Sequence, residues 1–457
     1  MFFSIQKIKK MPILKPVKTF LLSAKRIFQN RMSFYTENKI RCMLSKGFRI
    51  RHEKQLKEVD RFIMEIQKKP KKELIKIVFM CQIPSVWNSN MSTFLAADKS
   101  HRMEAYILAL PDKLIKENNN VSHEDYGENE SYQYCCEFCK NTIKAYDEES
   151  KEWFDLKEFK PDYVFVQRPY DIHLPPQYRS KVLAEYTKIC HIPYAYSLMN
   201  YASRLSYHLD FCDNVYAIFT ENQRYCEELK SIYFGLFQAN WKKIKFFGYP
   251  RFDLHKKIKK EKSEYKKTVL WLPRWTTNRF VEATTFFKYK DILIDYFKNR
   301  PNIRFVCRPH PLMFRNFIST GEMTEQEVDK FKNMFKDTDN FYLDESPDYV
   351  KTMVETDIFI SDTSSLLVEE FVISKPILFC GIKRHFDREN MRWAKYMYSV
   401  SNQQALLESL GKLLNSEDPL KEERKQFIKE HMKADGLAGE RIVHFLIEDY
   451  EKKQEEN

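Results

Sequence analysis

Glycine is nearly missing from this sequence. There are nine in 457 residues, and no two form a G-x-G pair. That excludes the glycine-rich dinucleotide fingerprint and the P-loop. Any phosphate must then be held by helix termini, hydroxyls, Arg, Lys or His. Long apolar runs are also lacking: none reaches the ~18 residues of a membrane-spanning helix. Phe2-Phe3 comes before Lys7, Lys9 and Lys10, the reverse of a signal peptide, in which charge precedes the apolar core. There is no HExxH. Cys135, Cys136 and Cys139 make a CCxxC with His123 upstream, but no second CxxC supplies a fourth zinc ligand. The stretch YQYCCEFCKNTIKAY reads better as a helix with small apolar residues. Asp337-Thr338-Asp339 is a DxD in a charged loop and reads as a turn. No metal and no cofactor is expected.

Acids are scarce at the start of the chain. From Met1 to His52 there are thirteen Lys and Arg against one acid, Glu37. The whole chain carries a formal net charge of +12, much of it here. Leu21, Leu22, Ile27 and Phe28 among Lys18, Lys25, Arg26 and Arg31 suit an amphipathic helix, which either packs on the body or meets an anionic surface. No RNA-binding module pattern is in view, so lipid is the expected anionic surface and no nucleic acid is expected. The expected location is cytoplasmic, peripheral to the inner face of the membrane.

What the sequence does hold is an α/β alternation, run twice. Ile75–Met80, Ala105–Leu110, Tyr163–Val166, Ile189–Tyr194, Val215–Phe219 and Lys243–Phe247 read as strands. Helices are expected over 86–99, through Cys139, over 178–188 and over 221–232, and a polar surface loop over 115–130. Gly248-Tyr249-Pro250 and a lysine-rich stretch from Lys256 to Lys267 mark a junction. Val269–Leu272, Ile303–Cys307, Phe341–Leu343, Asp357–Ser361 and Ile377–Cys380 are the second set of strands. Helices are expected over 289–298 and 325–335, with Ser346-Pro347 as cap and first residue of a helix to Glu355. This gives an α/β fold of two Rossmann-like domains with an N-terminal basic helical extension. The expected divisions are 1–75, 76–247, 248–415 and a helical tail over 416–457. A ligand cleft is expected between the halves, at the carboxyl ends of the strands.

The second half centres on Asp357 to Gly381. A strand ends in Asp362-Thr363-Ser364-Ser365, a short helix follows over 366–373, and Lys375-Pro376 leads into the next strand. A corner between a strand end and a helix start offers unpaired N–H groups and hydroxyls to an anion. The same residues also suit a plain helix cap. Arg308-Pro309-His310-Pro311 follows another strand of the same sheet. Arg308 and His310 are therefore expected near Thr363, Ser364 and Ser365, as a clamp on phosphate.

RPHP at 308–311, SDTSS at 361–365 and KPILF at 375–379 resemble the C-terminal half of CDP-glycerol glycerophosphotransferases, the teichoic-acid polymerase family of GT-B fold. Gly248-Tyr-Pro-Arg-Phe-Asp253 and Pro273-Arg274-Trp275 look like that family's pattern too. The resemblance implies that His310, Ser364 and Ser365 hold the pyrophosphate of a CDP-linked donor, and that Glu369 reaches the ribose. FMCQIPSVWNS, PDYVFVQRPYD and HIPYAYSL look like relatives encoded with bacterial surface-polysaccharide genes. The family's Trp-His-Gly, whose His is the favoured general base, has no counterpart here. By position its place falls at Tyr194-Ala195, and tyrosine, with a pKa near 10, is a poor base at neutral pH unless shifted. His191, His173 and His208 are the substitutes.

The function so implied is transfer of glycerol phosphate, or a related alditol phosphate, from a CDP-linked donor to a hydroxyl of a capsule- or teichoic-acid-like acceptor. CMP would be released. Expected catalytic residues are His310, Arg308, Tyr194 and His191. Expected donor-binding residues are Asp362, Thr363, Ser364, Ser365 and Glu369. The alternative is a GT-B glycosyltransferase that uses a nucleotide sugar. Expected partners are the nucleotide-linked donor, a surface-polymer or lipid-linked acceptor and an anionic membrane surface.

Overall fold

The computed structural model describes residues 74–112, 129–196, 198, 209–238, 240–278, 283–346, 348–381 and 386–455. The basic N-terminal helix, His123, most of the acidic loop, His208 and Pro347 lie outside the described residues.

Two parallel sheets carry the structure. The first is built from β1 (Ile75–Cys81), β2 (Met103–Ala109), β3 (Thr142–Lys144), β6 (Tyr163–Phe165), β7 (Lys188–His191), β8 (Ala217–Phe219) and β9 (Lys243–Lys245). Between β3 and β6 a small antiparallel hairpin pairs β4 (Tyr146–Asp147) with β5 (Glu152–Trp153). The second sheet holds β10 (Lys267–Leu272), β11 (Ile303–Cys307), β12 (Phe341–Leu343), β13 (Ile358–Ser361), β14 (Ile377–Phe379) and β15 (Tyr398–Ser399). The spatial orders are β3-β2-β1-β6-β7-β8-β9 and β12-β11-β10-β13-β14-β15. In both sheets the chain starts in the middle, winds outward to one side, then returns to wind the other way. That is the Rossmann order, and each sheet has one switch point, between β1 and β6 and between β10 and β13. The central strands are continuous apolar runs because helices cover both faces. Phe79, Phe165, Val269 and Phe305 are completely buried.

Several local expectations shift. The cysteine-rich stretch is not one helix. A helix covers Glu130–Cys136 and the chain then enters β3, with Cys135 and Cys139 buried and Cys136 exposed. Asn129 caps that helix by accepting from the Tyr132 N–H. The 178–188 helix shrinks to Ser180–Leu183. Ser346 does not cap the helix that ends at Glu355: that helix spans Val350–Glu355 with Tyr349 at its cap position. The Ser346 hydroxyl donates to Asp344 Oδ1 instead. An unforeseen helix, Met313–Ser319, follows RPHP.

Three helices join the halves. α1 (Asn88–Asp98) packs on α2 (Pro250–Lys257) and on the last helix, α3 (Ala438–Glu455). Asp253 of α2 accepts from Ser92 Oγ at 2.7 Å and from the Ala438 and Gly439 N–H groups at 3.2 and 2.9 Å. It thus satisfies orphan donors at the start of α3. A Cβ on Gly439 would meet the Ser92 carbonyl at 2.6 Å, so only glycine lets α3 come this close to α1. The end of the chain therefore returns to the first sheet rather than trailing as a free tail. There Asp449 of α3 takes Lys188 Nζ at 3.0 Å, Tyr163 OH at 2.8 Å and Tyr216 OH at 2.6 Å.

Candidate functional site

The switch point of the second sheet brings together the loops after β10, β11 and β13. Arg274 sits two residues beyond β10. Its N–H donates to Asp362 Oδ2 at 3.0 Å and its guanidinium to the Thr363 carbonyl at 2.5 Å. Asp362 is buried and also accepts from Thr284 Oγ1, Thr285 N and Thr285 Oγ1. Burial raises its pKa, and those donors pull against the rise. Asp362 thus fixes the corner from inside. Thr363 is buried, Ser364 is half-buried and Ser365 is exposed. Ser364 Oγ accepts from the Leu366 N–H at 3.2 Å. The helix that follows spans only Leu367–Val372, so its dipole is small, and the polar groups this corner presents are the Ser364 and Ser365 hydroxyls beside the Arg274 guanidinium.

His310 joins this corner. Its ring centroid lies 6.2 Å from that of Trp275. Its pKa is lowered to about 4, first by the loss of water around the ring and then by the Arg274 guanidinium. The residue is exposed to solvent on its outer side, and the ring is neutral at pH 7. Nδ1 accepts the Leu312 N–H at 3.2 Å. A neutral imidazole whose Nδ1 accepts must carry its proton on Nε2. His310 is thereby set up to donate a hydrogen bond outward.

Arg308 is placed differently. Its guanidinium pairs with Asp344 at 2.8 Å and donates to the Ser346 carbonyl at 2.7 Å. It is a brace between the loops after β11 and β12, and its charge is compensated there. Glu369 is also turned inward. Its carboxylate meets Arg251 at 2.9 Å, His255 at 3.1 Å and Tyr349 OH at 2.9 Å. Burial acts to raise its pKa, but Arg251 and His255 win and hold it below the ordinary carboxylate value. The same Arg251 donates to the Tyr194 carbonyl at 2.6 Å and to Tyr349 OH. One guanidinium thus ties the loop after β7 to the helix behind the Ser364 corner.

On the first sheet, the Tyr194 and Tyr170 hydroxyls are 3.0 Å apart. His191 lies inside β7, buried, with Nδ1 3.0 Å from the Val166 carbonyl and its ring against Phe211. Its carbonyl contact and burial are those of a core histidine. His173 packs edge-on against Tyr170. The structure links His310 to the Thr363 corner through Arg274, which lies near the imidazole and donates to the Thr363 carbonyl. Tyr194 stands across the junction, and Arg308, Glu369, Asp362 and His191 make internal contacts. Sequence reasoning named Pro273-Arg274-Trp275 but did not place Arg274 in the site. The available signal was a basic residue directly after the first strand of a Rossmann unit.

Residues 195–448 match the model of the CDP-glycerol:poly(glycerophosphate) glycerophosphotransferase family. The chain belongs to this family. It is 26% identical over 182 residues to the teichoic acid poly(glycerol phosphate) polymerase of Bacillus spizizenii, a stretch covering 37% of this chain and 43% of that protein. The matched stretch thus spans less than half the length of this curated relative. Two solved structures share the fold. An alanine variant of the wall teichoic acid polymerase TagF superposes with a TM-score of 0.50 at 14% identity, covering 91% of this chain and 99% of that one. The UDP-GlcNAc 2-epimerase of Neisseria meningitidis gives 0.51 at 13% identity, covering 82% and 100%. Both likenesses establish the two-domain GT-B fold alone. The glycerophosphotransferase family match takes in the whole second-sheet corner but begins after Arg168, His191 and Tyr194.

Proposed function

We propose that the chain transfers glycerol phosphate, or a related alditol phosphate, from a CDP-linked donor to a hydroxyl of a surface-polymer acceptor. The acceptor oxygen forms a bond to the phosphorus next to the alditol. The bond from that phosphorus to the bridging oxygen breaks, CMP leaves, and the proton of the acceptor hydroxyl is released to water or to the departing phosphate. The observation that carries this reading is the meeting of Arg274, neutral His310 and the 363–365 corner at the switch point of the family-matched half. Displacement at phosphorus depends on positioning and on neutralising charge that spreads over the oxygens. Arg274 supplies positive charge, His310 Nε2–H a donor, and Ser364 and Ser365 hydroxyls. Tyr194, at the end of β7, stands on the acceptor side of the junction.

Thermal melts with CDP, CDP-glycerol, CMP and UDP test the donor. A ligand at about 100 times its Kd adds ~2.7 kcal/mol of stability. CDP and CDP-glycerol should raise the melting point, and His310→Ala should lose most of that rise. Response to UDP alone, with a UDP-sugar giving UDP as product, would replace this reading with sugar transfer.

The same reading places the chain at the inner face of the membrane, where a lipid-linked or capsule-type acceptor is made. It rests on the thirteen basic residues before His52. No helix among the described residues is long and apolar enough to cross a membrane. The full chain should sediment with anionic vesicles, and a chain lacking residues 1–60 should stay in solution. Sedimentation of both alike would sink the membrane placement.

A further inference from the structure

The first sheet has its own switch point, between β1 and β6, and its exit loops build a second site. Gln82 follows β1, and Gln167 and Arg168 follow β6. Gln167 Oε1 accepts the Gln82 and Ile83 N–H groups at 2.9 and 3.0 Å, and its amide nitrogen donates to the Ile83 carbonyl at 2.8 Å. The two loops are locked together by that one side chain. Gln82 is buried, and its amide nitrogen donates to the carbonyls of Pro111 at 3.2 Å and His173 at 2.8 Å. Both amide protons are thus used, so its oxygen is the atom that faces Arg168, at 2.6 Å. Arg168 is held in place by a neutral acceptor.

The charge of Arg168 is poorly compensated. Its side chain is 15% exposed, and the carboxylate that pairs with it, Asp112, is 3.5 Å away and 56% exposed. Its Nε is buried with no acceptor. Burial lowers the guanidinium pKa, and Asp112, Tyr194 and Tyr170 only partly oppose this. A half-buried guanidinium oriented by an amide, beside two tyrosines at a strand-end crevice, is a site for an anionic oxygen. A small cavity here is lined by Gln82, Gln167, Arg168 and Tyr170.

We propose that Arg168, oriented by Gln82 and flanked by Tyr170 and Tyr194, binds a phosphodiester of the acceptor polymer. This rests on the glycerophosphotransferase reading above. A growing poly(alditol phosphate) carries an anionic phosphodiester one unit behind its terminal hydroxyl. Tyr194 belongs to the loop that Arg251 ties to the donor half, so an acceptor gripped at Arg168 presents its end toward the junction. The arrangement lets the enzyme tell a polymer already bearing phosphate from a neutral primer.

The test uses the full chain, saturating CDP-glycerol and two acceptors with the same terminal hydroxyl: a short oligo(glycerol phosphate) and an uncharged polyglycerol of similar length. Loss of a charge-assisted contact weakens binding by about 30-fold or more. Arg168→Gln should raise KM for the oligo(glycerol phosphate) by that factor and KM for polyglycerol less than about three-fold, with Arg168→Lys in between. Equal rises for both acceptors would mark a structural role, and a rise in KM for CDP-glycerol would mark a donor site. Either result, or no change, overturns the proposal. If the wild type does not turn over CDP-glycerol, the transferase reading fails, and calorimetric titration with oligo(glycerol phosphate) then decides the subsite alone. Binding by the wild type that falls 30-fold in Arg168→Gln supports it, and no binding by the wild type overturns it.

Discussion

Asp449→Ala should cost about 3–5 kcal/mol of stability, the loss expected when one partner of a buried ion pair is removed. The Asp449 side chain is 5% exposed and that of Lys188 is 2% exposed. Lys243 Nζ lies 3.5 Å from the other oxygen. With alanine at 449, two buried ammonium groups would face each other across Tyr216, whose ring both already approach. Asp449→Asn keeps one acceptor oxygen, enough for either the Tyr163 or the Tyr216 hydroxyl, which donate to different oxygens of Asp449, and should cost less. A urea titration would measure both, and hydrogen exchange would place the damage. Protection should fall in β6 to β9 and hold in β10 to β15, because α3 lies against the first sheet. Uniform loss over both sheets would show that α3 acts on the whole molecule instead.

The pH dependence has a fixed sign. Burial acts to raise the Asp449 pKa, but Lys188, Tyr216 and Lys243 pull it well below the ordinary carboxylate range. A depressed carboxylate contributes stability that is fully present above its unfolded value, ~3.9, and is lost as pH falls through the folded value. The stability gap between wild type and Asp449→Ala should therefore be flat at neutral pH. It should narrow only in strong acid, below the unfolded value.

The contact between Lys188 and Asp449 spans 261 residues, and this explains what the sequence concealed. Strands such as Ile75–Cys81 and Ile303–Cys307 are legible because a parallel sheet buried on both faces leaves an unbroken apolar run. Two runs of the same alternation announce two parallel α/β units, but the strand order within each sheet is seen only in the structure. The 361–365 corner and the loop 308–311 were legible as strand-end turns because their polar residues stand in consecutive positions after apolar runs, whereas the pairing of Arg308 with Asp344 was not. The hairpin Tyr146–Asp147 with Glu152–Trp153 was not, since two-residue strands have no period to read. The strand Thr142–Lys144 hid behind apolar cysteines at helical spacing. The inward turn of Glu369 was hidden for another reason. Nothing near Glu369 in sequence announces Arg251 and His255, more than a hundred residues earlier. Neighbouring Glu370 is buried as well. Burial raises its pKa to about 8, and Ser361 Oγ donates to it at 2.9 Å. Two adjacent acids on one short helix thus meet opposite fates, and only tertiary contacts assign them.

Substitution of Glu369 separates a ribose contact from a buried counter-charge. A ribose contact would make Glu369→Gln weaken CDP binding ten-fold or more with little effect on stability. The geometry predicts the reverse. Arg251 is buried, and Glu369 is the carboxylate seen to neutralise it. Glu369→Ala should cost about 3–5 kcal/mol, because a guanidinium would be left in a dry junction without its counter-charge. Glu369→Gln should cost less, while CDP affinity stays within about three-fold. If the penalty comes from the stranded charge, Arg251→Met with Glu369→Leu should be more stable than Glu369→Ala alone. Turnover should nevertheless stay low in that double variant. Arg251 also holds the Tyr194 carbonyl and the Tyr349 hydroxyl, so an apolar pair would restore the packing of the joint without fixing Tyr194 relative to the Ser364 corner. Recovery of both stability and turnover would mean that the joint only needs to be filled, and that its hydrogen bonds do not align the two halves.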